Sequence, residues 1–407
     1  MSNVSKSYID KLLDGVEVEW KCLGDVAELY GGLTGKSKAD FADGNARYIS
    51  YKNIFDNLSV DFKSLETVNI SETENQHYVQ YGDILFTGSS ETADEAGMSS
   101  SVTMQIYGKI YLNSFSFGVR FNKDIILTPE FSKYLFRSNY FRSEITKTAS
   151  GVTRFNVSKA RFKKLQIPIP PLHVQEEIVR ILDAFTELTT ELTTELTARK
   201  KQYEYYRDKL LTFDDSVEWK TLGEIAEYST TRISFENIDE SNYVGVDNLL
   251  QNRAGKTDSN YLPKEGRFTK YCNNDILIGN IRPYLKKIWY SDCIGGTNGD
   301  VLVVHPTSSE INSRYLFQVL SDDKFFEYNM QHAKGAKMPR GSKQKIMEYK
   351  LPIPPLAEQE QIVAILDKFD TLTNSITEGL PREIELRKQQ YEYYRDMLLS
   401  FPKPEVA

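Results

Sequence analysis

The chain has 407 residues, a length that predicts two or three domains at roughly 150 residues each. A hydrophobic content of 40% and a charged content of 26% are typical of a globular protein and exclude a chain that is disordered or fibrous throughout. The formal net charge of −7 argues against a protein that coats nucleic acid indiscriminately, although it leaves room for local basic surfaces.

Cysteine usage and apolar runs indicate the compartment. Cys22, Cys272 and Cys293 are too far apart for a CxxC metal or redox pair, and such a sparse, odd set is typical of a reducing interior. The first residues lack the apolar core of a secretory signal, and no apolar run approaches the ~18 residues of a membrane helix. We therefore predict a cytoplasmic protein.

Internal duplication is the strongest signal in the sequence. Blocks of residues occur twice in the same order at a period of about 190 residues, which is too long for a solenoid and predicts two similar domains. The pairs are VEWKCLG at 18–24 and VEWKTLG at 217–223, IPIPPL at 167–172 and LPIPPL at 351–356, ILD at 181–183 and 365–367, and QYEYYRDKLLTF at 202–213 and QYEYYRDMLLSF at 390–401. Residues 25–160 and 224–345 share little, so one scaffold carries two variable surfaces. This pattern favours a reader of two targets over an enzyme with duplicated chemistry.

The blocks divide the chain into segments. Residues 8–13 resemble residues 206–211, so the start of the chain looks like the tail of a third connecting segment, and this cyclic layout predicts an approximate two-fold relation between the halves. The predicted segments are an N-terminal segment at 1–13, a first variable domain at 14–172, a long helix at 173–213, a second variable domain at 214–356 and a C-terminal helix at 357–407.

Both variable domains are predicted to be mixed α/β, of the α+β type. Short runs of β-branched and aromatic residues predict strands, and apolar residues at helical spacing predict helices. The predicted strands lie at 47–50, 83–87, 117–121, 275–278 and 300–304, and the predicted helices at 130–137 and 312–320.

Motifs for catalysis or metal binding are weak. GGLTGKS at 31–37 resembles a phosphate-binding loop, but Tyr30 stands where GxxxxGK[ST] requires glycine. HExxH and GxSxG do not occur, and the histidines lack metal-ligand spacing. We therefore predict no catalytic residue, no metal and no cofactor bound by this chain.

Positive charge is concentrated in two equivalent segments. Residues 145–175 and 330–347 contain no acidic residue, and both lead into a repeated PIPPL block. In an acidic chain, this recurrence predicts matched contacts to DNA phosphates, whereas the alternative for each segment is a solvated loop. The predicted phosphate contacts are Arg154, Lys159, Arg161, Lys163 and Lys164 in the first segment and Lys334, Lys337, Arg340, Lys343 and Lys345 in the second.

The variable regions also contain side chains suited to base contacts. Asparagine pairs with adenine, and arginine or lysine pairs with guanine. The candidates are Tyr51, Lys52, Asn53, Asn248, Asn280, Arg282, Lys286 and Lys287, and the alternative for each one is an ordinary turn or surface residue.

Two long helices follow the PIPPL blocks, at about 174–212 and 358–400. Each would span on the order of 60 Å, so we predict that they pack as an antiparallel coiled-coil pair, with a kink or break at 379–381. The predicted packing residues are Ile178, Ile181, Phe185, Leu188 and Leu192 in the first helix and Ile362, Ile365, Phe369, Leu372 and Ile376 in the second. Tyr203, Tyr205, Tyr391 and Tyr393 near the helix ends are candidates for docking a partner.

The repeated blocks, together with the TTEL repeat at 189–196, resemble the DNA-specificity (S) subunit of type I restriction–modification systems, most closely subclass IC. The resemblance implies two target-recognition domains in a bacterial or archaeal cell, each reading half of a bipartite, asymmetric DNA site. It also implies no membrane association and no catalysis by this chain. Two methyltransferase (M) subunits and the restriction/translocase (R) subunits would perform adenine methylation and restriction, with S-adenosylmethionine, ATP and Mg²⁺ bound on those partners. The alternatives are a nucleic-acid-modifying enzyme with an unrecognised site and a coiled-coil adaptor that binds only protein.

Overall fold

The computed structural model describes residues 8–214, 216–375 and 378–403. The chain divides into two compact units. Unit 1 contains the described residues up to Leu188 and from Arg387 onward, and unit 2 contains Thr189–Leu386. Within the described ranges, no helix combines the length and the hydropathy that a bilayer span requires.

Unit 1 is a mixed α/β unit, as predicted. Its strands are β1 (Glu19–Cys22), β2 (Ala27–Gly31), β3 (Ala46–Ile49), β4 (Glu66–Val68), β5 (Ile84–Thr87), β6 (Ser89–Ser90), β7 (Ser99–Ser101), β8 (Ile110–Leu112), β9 (Ser116–Phe121), β10 (Ala149–Ser150), β11 (Phe155–Val157) and β12 (Gln166–Ile169). Its helices are α1 (Tyr8–Leu13), α2 (Leu23–Val26), α3 (Tyr51–Asp56), α4 (Pro129–Leu135), α5 (Asn139–Thr148), α6 (Lys159–Phe162) and the first part of α7 (Leu172–Leu210).

An antiparallel sheet of order β2-β9-β5-β7 forms the centre of unit 1, beside smaller sheets of order β4-β3-β8, β10-β11-β6 and β1-β12. Strands β5 and β9 are buried apolar strands in register, with Ile84 opposite Val119. On these strands, Phe86 and Phe117 stack on each other, and both pack edge-to-face with Phe162, with ring centroids 4.9–5.4 Å apart. The predicted strands at 47–50, 83–87 and 117–121 and the predicted helix at 130–137 are confirmed.

Unit 2 repeats this plan with different sequence. Its strands are β13 (Glu218–Thr221), β14 (Ala226–Tyr228), β15 (Arg232–Ser234), β16 (Tyr243–Val244), β17 (Arg267–Tyr271), β18 (Ile276–Gly279), β19 (Ile288–Tyr290), β20 (Gly295–Thr297), β21 (Val301–Pro306) and β22 (Lys350–Ile353). Its helices are α8 (Leu222–Ile225), α9 (Ser313–Leu320), α10 (Asp323–Gln331), α11 (Lys343–Met347), α12 (Leu356–Asn374) and the first part of α13 (Gly379–Leu398). The sheets have the orders β14-β21-β18-β19, β15-β17-β20-β16 and β13-β22.

The repeated blocks form the same small frame in each unit. VEWK pairs with the PIP strand as β1–β12 and β13–β22, with Trp20 opposite Pro168 and Trp219 opposite Pro352. A fully buried glutamine then fixes the helix that follows. Gln175 donates to the carbonyl oxygens of Ile126 and Pro170 at 2.8 and 2.9 Å, and Gln359 donates to Glu310 and Pro354 at 2.8 and 2.7 Å. In each unit the repeated blocks therefore form the frame on which the variable parts are built.

The repeated tail segments pack on the start of the other long helix. In unit 1, Leu398 and Phe401 lie in the same core as Val174 and Ile178, and Phe185 stacks on Tyr394 with ring centroids 5.3 Å apart. In unit 2, Tyr203 and Leu211 share a core with Ile362 and Leu366, and Tyr203 stacks on Phe369 at 5.9 Å. Ile9 and Leu13 of α1 belong to the unit 1 core as well.

The predicted long helices are confirmed, but some of the residues that they bury differ from those predicted. Helix α7 has 39 residues, and the second helix is divided into α12 and α13 near the predicted break. Gly379 has φ +73°, and a Cβ there would lie 2.4 Å from the carbonyl oxygen of Thr371, so glycine is required.

The prediction that Ile365 packs between the helices is wrong. Its side chain is 41% exposed, because the helix directs the next residue, Leu366, into the core. In α7 the neighbouring Leu182 is fully buried, while Ile181, Leu188 and Leu192 are half-buried. Ile178 and Ile362 are buried, Phe185, Phe369 and Leu372 are half-buried, and Ile376 lies outside the described residues.

Candidate nucleic-acid interface

Each basic segment contains a hairpin. In unit 1, β10 and β11 pair with Ser150 opposite Asn156, and β11 also pairs with β6. In unit 2, Lys334 and Arg340 exchange two backbone hydrogen bonds of 2.9 and 2.8 Å, and Arg340 also pairs with Ile281. We call residues 149–157 hairpin 1 and residues 333–341 hairpin 2. The positive charge of these segments was predicted, but the hairpins were not. The equal spacing from Gly151 to Ser158 and from Gly335 to Ser342 is the signal in the sequence that would have indicated them.

Hairpin 1 assembles a basic and aromatic surface from distant parts of the chain. The Arg154 Nε donates to Ser89 Oγ at 3.2 Å, and its guanidinium lies 5.4 Å from the ring centroid of Phe115, a side chain that is 60% exposed. Tyr51 donates its hydroxyl to the carbonyl oxygen of Ser89 at 2.9 Å. The structure thus brings together two candidates, Tyr51 and Arg154, and adds Phe115, for which the sequence contained no signal.

Hairpin 2 brings together candidates from two predicted groups. The backbone N–H of Arg282 donates to Pro339 O at 2.7 Å, and that of Gly341 donates to Asn280 O at 3.1 Å. Arg282 has φ +52°, a left-handed conformation that is uncommon outside glycine, and its side chain is exposed. Arg340 forms an ion pair of 2.7 Å with Asp300. This loop therefore presents Arg282 beside Lys334 and Arg340.

A short capped helix follows each hairpin and carries the charges that recur in both units. Ser158 accepts from the backbone N–H of Arg161 at the start of α6, and Ser342 accepts from that of Lys345 at the start of α11. Counting from these serines, Lys159 corresponds to Lys343 and Arg161 corresponds to Lys345. By the same count, the exposed Lys163 and Lys164 correspond to Met347 and Glu348 and are not matched.

Several predicted base contacts lie in the interior, and we remove them from the candidates. Asn53 is buried, and its side-chain amide forms two hydrogen bonds with the backbone of Asp61. It donates to the carbonyl oxygen at 2.8 Å and accepts from the N–H at 3.0 Å. Asn248 is buried and donates to Tyr243 O and Thr257 O. Lys287 is buried with its ammonium on the carbonyl oxygen of Val246, and burial lowers the pKa of this lysine.

Three further candidates for base contacts differ in exposure: Lys52 is exposed, Lys286 is half-buried and Asn280 is buried. Lys286 is half-buried and its ammonium lies 2.8 Å from Asp323 Oδ1. Asn280 is buried, and its side-chain oxygen has no partner among the described residues. Of the asparagine candidates, none presents a free amide edge at the surface described here.

A buried aspartate lies at the start of a central strand in each unit: Asp83 precedes β5, and Asp275 precedes β18. Asp83 accepts the Tyr30 hydroxyl at 2.6 Å and two hydrogen bonds from Arg120, at 2.8 and 2.7 Å. Burial raises the pKa of Tyr30 far above its ordinary value, and the charge of Asp83 adds to this effect. The register of β18 and β21 places Asp275 and His305 at the same positions in unit 2, with His305 Nδ1 2.5 Å from Asp275 Oδ1. Both strands were predicted at 83–87 and 275–278, but nothing in the sequence indicated this pairing.

The four docking tyrosines divide into two kinds. Tyr203 is buried and donates to Gln318 Oε1 at 3.1 Å, and Tyr391 is half-buried beside Tyr134. Tyr205 and Tyr393, at equivalent positions, are 61% and 66% exposed. We therefore keep only Tyr205 and Tyr393 as docking candidates.

The loop that resembles a phosphate-binding motif is occupied by internal contacts. Lys36 forms an ion pair of 2.6 Å with Glu74, and this contact lowers the pKa of Glu74 to about 2. Among the described residues, no group of three or more histidine, cysteine or acidic side chains is placed to hold a metal ion.

Comparison with known proteins gives consistent matches over the whole length. The family model described as "Type I restriction modification DNA specificity domain" matches residues 15–200 and 215–386. The chain is 35% identical to the EcoR124I/EcoR124II specificity subunit of Escherichia coli, over 98% of both chains. It is 32% identical to the EcoprrI specificity subunit of Escherichia coli, over 91% of this chain and 92% of that one.

Solved structures show the same fold at low sequence identity. An S subunit of a type I restriction–modification system from M. genitalium aligns with a TM-score of 0.55 and 17% identity, covering 96% of this chain and 98% of that chain. A chain from a structural study of type I R-M complex assembly and conformational transition aligns with a TM-score of 0.60 and 16% identity, covering 94% and 98%.

Proposed function

The chain belongs to the family of type I restriction–modification DNA specificity subunits, and we propose that units 1 and 2 each read one half of a bipartite, asymmetric DNA site. In this family the specificity subunit recognises DNA and is not the catalyst. The observation that carries the proposal is the repetition of one frame, made of the paired blocks, the buried glutamine and the capped basic helix, under two unrelated variable surfaces. Identical frames with different surfaces are what two different half-sites require.

The basic residues common to both units are the proposed phosphate contacts. Phosphates are the same at every DNA sequence, so a residue that binds them has no reason to differ between the units. Lys159 with Lys343, and Arg161 with Lys345, satisfy this condition. Lys163 and Lys164 add unmatched charge in unit 1.

The reaction chemistry is proposed to belong to partner subunits. S-adenosylmethionine for adenine methylation would be bound by methyltransferase subunits, and ATP and Mg²⁺ for restriction by the restriction/translocase subunits. The tail segment occurs twice, so it offers two equivalent docking surfaces and favours two methyltransferase subunits per chain. The TTEL repeat supports assignment to subclass IC, and a DNA-directed function supports a location in the cytoplasm of a bacterial or archaeal cell.

Exchange of the second variable region tests the proposed function. Replacing residues 224–345 with the corresponding region of a relative should change one half-site completely and leave the other half-site unchanged, because the repeated frame lies outside the exchanged part. Genome-wide mapping of adenine methylation, after coexpression with the methyltransferase, measures this. The reciprocal exchange of residues 25–160 is the matched control and should change only the other half. If either exchange altered both halves, or neither, the assignment of one half-site to each unit would be wrong.

Docking through Tyr205 and Tyr393 is tested by single substitutions. We expect Tyr205→Ala and Tyr393→Ala each to weaken binding of one methyltransferase subunit, because an exposed aromatic anchor at an interface contributes about 2 kcal/mol or more, close to thirtyfold. Native mass spectrometry of the reconstituted complex should show loss of one subunit in each variant and of both in the double variant. Tyr107→Ala, at an exposed tyrosine outside the repeated segments, is the control. Wild-type stoichiometry and affinity in the double variant would exclude this docking surface.

A further inference from the structure

Hairpins 1 and 2 share a backbone but not their side chains. We propose that the tips of these hairpins, residues 152–154 and 336–338, contact the bases of the two half-sites, while the capped helices that follow them hold phosphate. The inference rests on the proposed function and assigns the base contacts within it.

The hairpins share a pairing register, Ser150 with Asn156 and Lys334 with Arg340, and an anchoring hydrogen bond. The N–H of Val157 donates to Gly88 O at 2.9 Å, and the N–H of Gly341 donates to Asn280 O at 3.1 Å. Each acceptor lies five residues after the buried aspartate of its unit. Both turns begin with glycine: a Cβ on Gly151 would lie 1.9 Å from the carbonyl oxygen of Arg154, and Gly335 has φ +100°. The frame of the hairpin is therefore built into both units.

The tips differ at every position within this common frame. Val152, Thr153 and Arg154 in hairpin 1 correspond to Ala336, Lys337 and Met338 in hairpin 2. All six are exposed, and Val152 is 92% exposed, so core packing does not explain the choice of these residues, although Arg154 also donates to Ser89 Oγ. The helix that follows keeps its charges, as Lys159 and Lys343 show. Variation at the tip beside conservation at the helix separates sequence-dependent contacts from sequence-independent ones.

The tip residues have the chemistry of base recognition. The major groove is wide enough for a two-stranded β-ribbon, where arginine pairs with guanine and apolar groups contact the methyl group of thymine. Tip 1 offers the guanidinium of Arg154, and the methyl groups of Val152. Tip 2 offers Lys337 flanked by Ala336 and Met338. The two tips would therefore favour different bases.

Different interiors hold the hairpins in place. Behind hairpin 1, the side chains of Ile145 and Val157 both lie close to Gly97. Behind hairpin 2, a Cβ on Gly341 would lie 2.3 Å from Asn329 Oδ1 and 2.7 Å from Asn280 Oδ1, so the strand lies directly on this buried pair. Asn280, predicted as a base contact, thus supports the hairpin from inside. An element that contacts bases needs such support, because hydrogen bonds to base edges form only when the side chains are held at the correct distance and angle.

Exchange of the tips tests the proposal. The variant Val152→Ala/Thr153→Lys/Arg154→Met gives hairpin 1 the tip of hairpin 2 at unchanged length. In the complex with methyltransferase, we expect discrimination at one or more base pairs of the unit 1 half-site to fall roughly ten- to a hundredfold, with the other half-site and the spacing unchanged. Methylation mapping and binding to oligonucleotides with single base-pair changes measure this.

Controls separate base contacts from phosphate contacts. Lys159→Ala should weaken binding to all DNA sequences alike and lower the slope of log K against log salt by about one. The reciprocal variant Ala336→Val/Lys337→Thr/Met338→Arg should alter only the unit 2 half-site. Val152→Ala alone repeats the test at a side chain that is 92% exposed. Unchanged discrimination in the assembled tip variants would overturn the proposal and leave the proposed function intact. Absence of any bipartite methylated site with the wild-type complex would instead refute the proposed function.

Discussion

Replacing Asp83 with alanine is expected to destabilise unit 1 by about 3 kcal/mol, because it removes the acceptor of the buried Tyr30 hydroxyl and the ion-pair partner of the half-buried Arg120. The Asp83 carboxylate is fully buried and accepts from Tyr30, from Arg120 and from the backbone N–H of Gln80 at 2.8 Å. Without it, the Tyr30 hydroxyl loses its acceptor, and Arg120 keeps its hydrogen bond of 3.0 Å to the carbonyl oxygen of Tyr78. Denaturant unfolding of the chain, followed by hydrogen exchange in β5 and β9, measures the loss and locates it in unit 1.

Tyr30→Phe is the matched control for this prediction. It removes one hydrogen bond and keeps the Asp83–Arg120 pair, so we expect a loss of about 1 kcal/mol. Because Asp83 lies five residues before Gly88, which receives the hairpin 1 backbone, Asp83→Ala should also reduce DNA binding. A smaller destabilisation by Asp83→Ala than by Tyr30→Phe would show that the ion pair contributes little.

Deleting residues 189–192 is expected to abolish methylation at the original sites and create new sites with a spacer one or two base pairs shorter. Helix α7 is continuous through this TTEL block, and four residues correspond to ~6 Å of helix and a rotation of ~40° beyond one full turn. Base pairs rise ~3.4 Å, so the change corresponds to one or two of them. Both half-sites should keep their sequences, since no residue of either variable surface is altered. Methylation mapping measures sites and spacing together.

Substitution of residues 189–192 by four alanines is the control for the deletion. Alanine has the highest helix propensity, so the helix keeps its length while its side chains change. We expect this variant to retain the original spacing. New half-sites with the original spacing after the deletion would contradict the role of α7 as a spacer, and a shortened spacing in the alanine variant would show that side chains rather than length set it.

Repetition and periodicity were sufficient to predict one part of this protein from its sequence. The repeated blocks indicated two similar units, the apolar spacing predicted α7 and α12, and Gly379 marked the break between α12 and α13. These features are local: each depends on residues within a few turns or on a direct match between two segments. The same information did not distinguish Ile365 from Leu366, because both fit a helical period and only the neighbouring helix decides which one is buried.

The candidate interface depends on contacts between distant segments that the sequence does not reveal. Tyr51, Ser89, Phe115 and Arg154 meet because β6 pairs with β11, a contact between segments that no periodicity connects. The sequence does not distinguish Asn53 and Asn248 from exposed asparagines. In the structure, however, their side-chain amides donate to backbone carbonyl oxygens of nearby loop residues. Whether a polar group faces solvent or the backbone depends on which distant strand lies beside it, and that is a property of the assembled sheets.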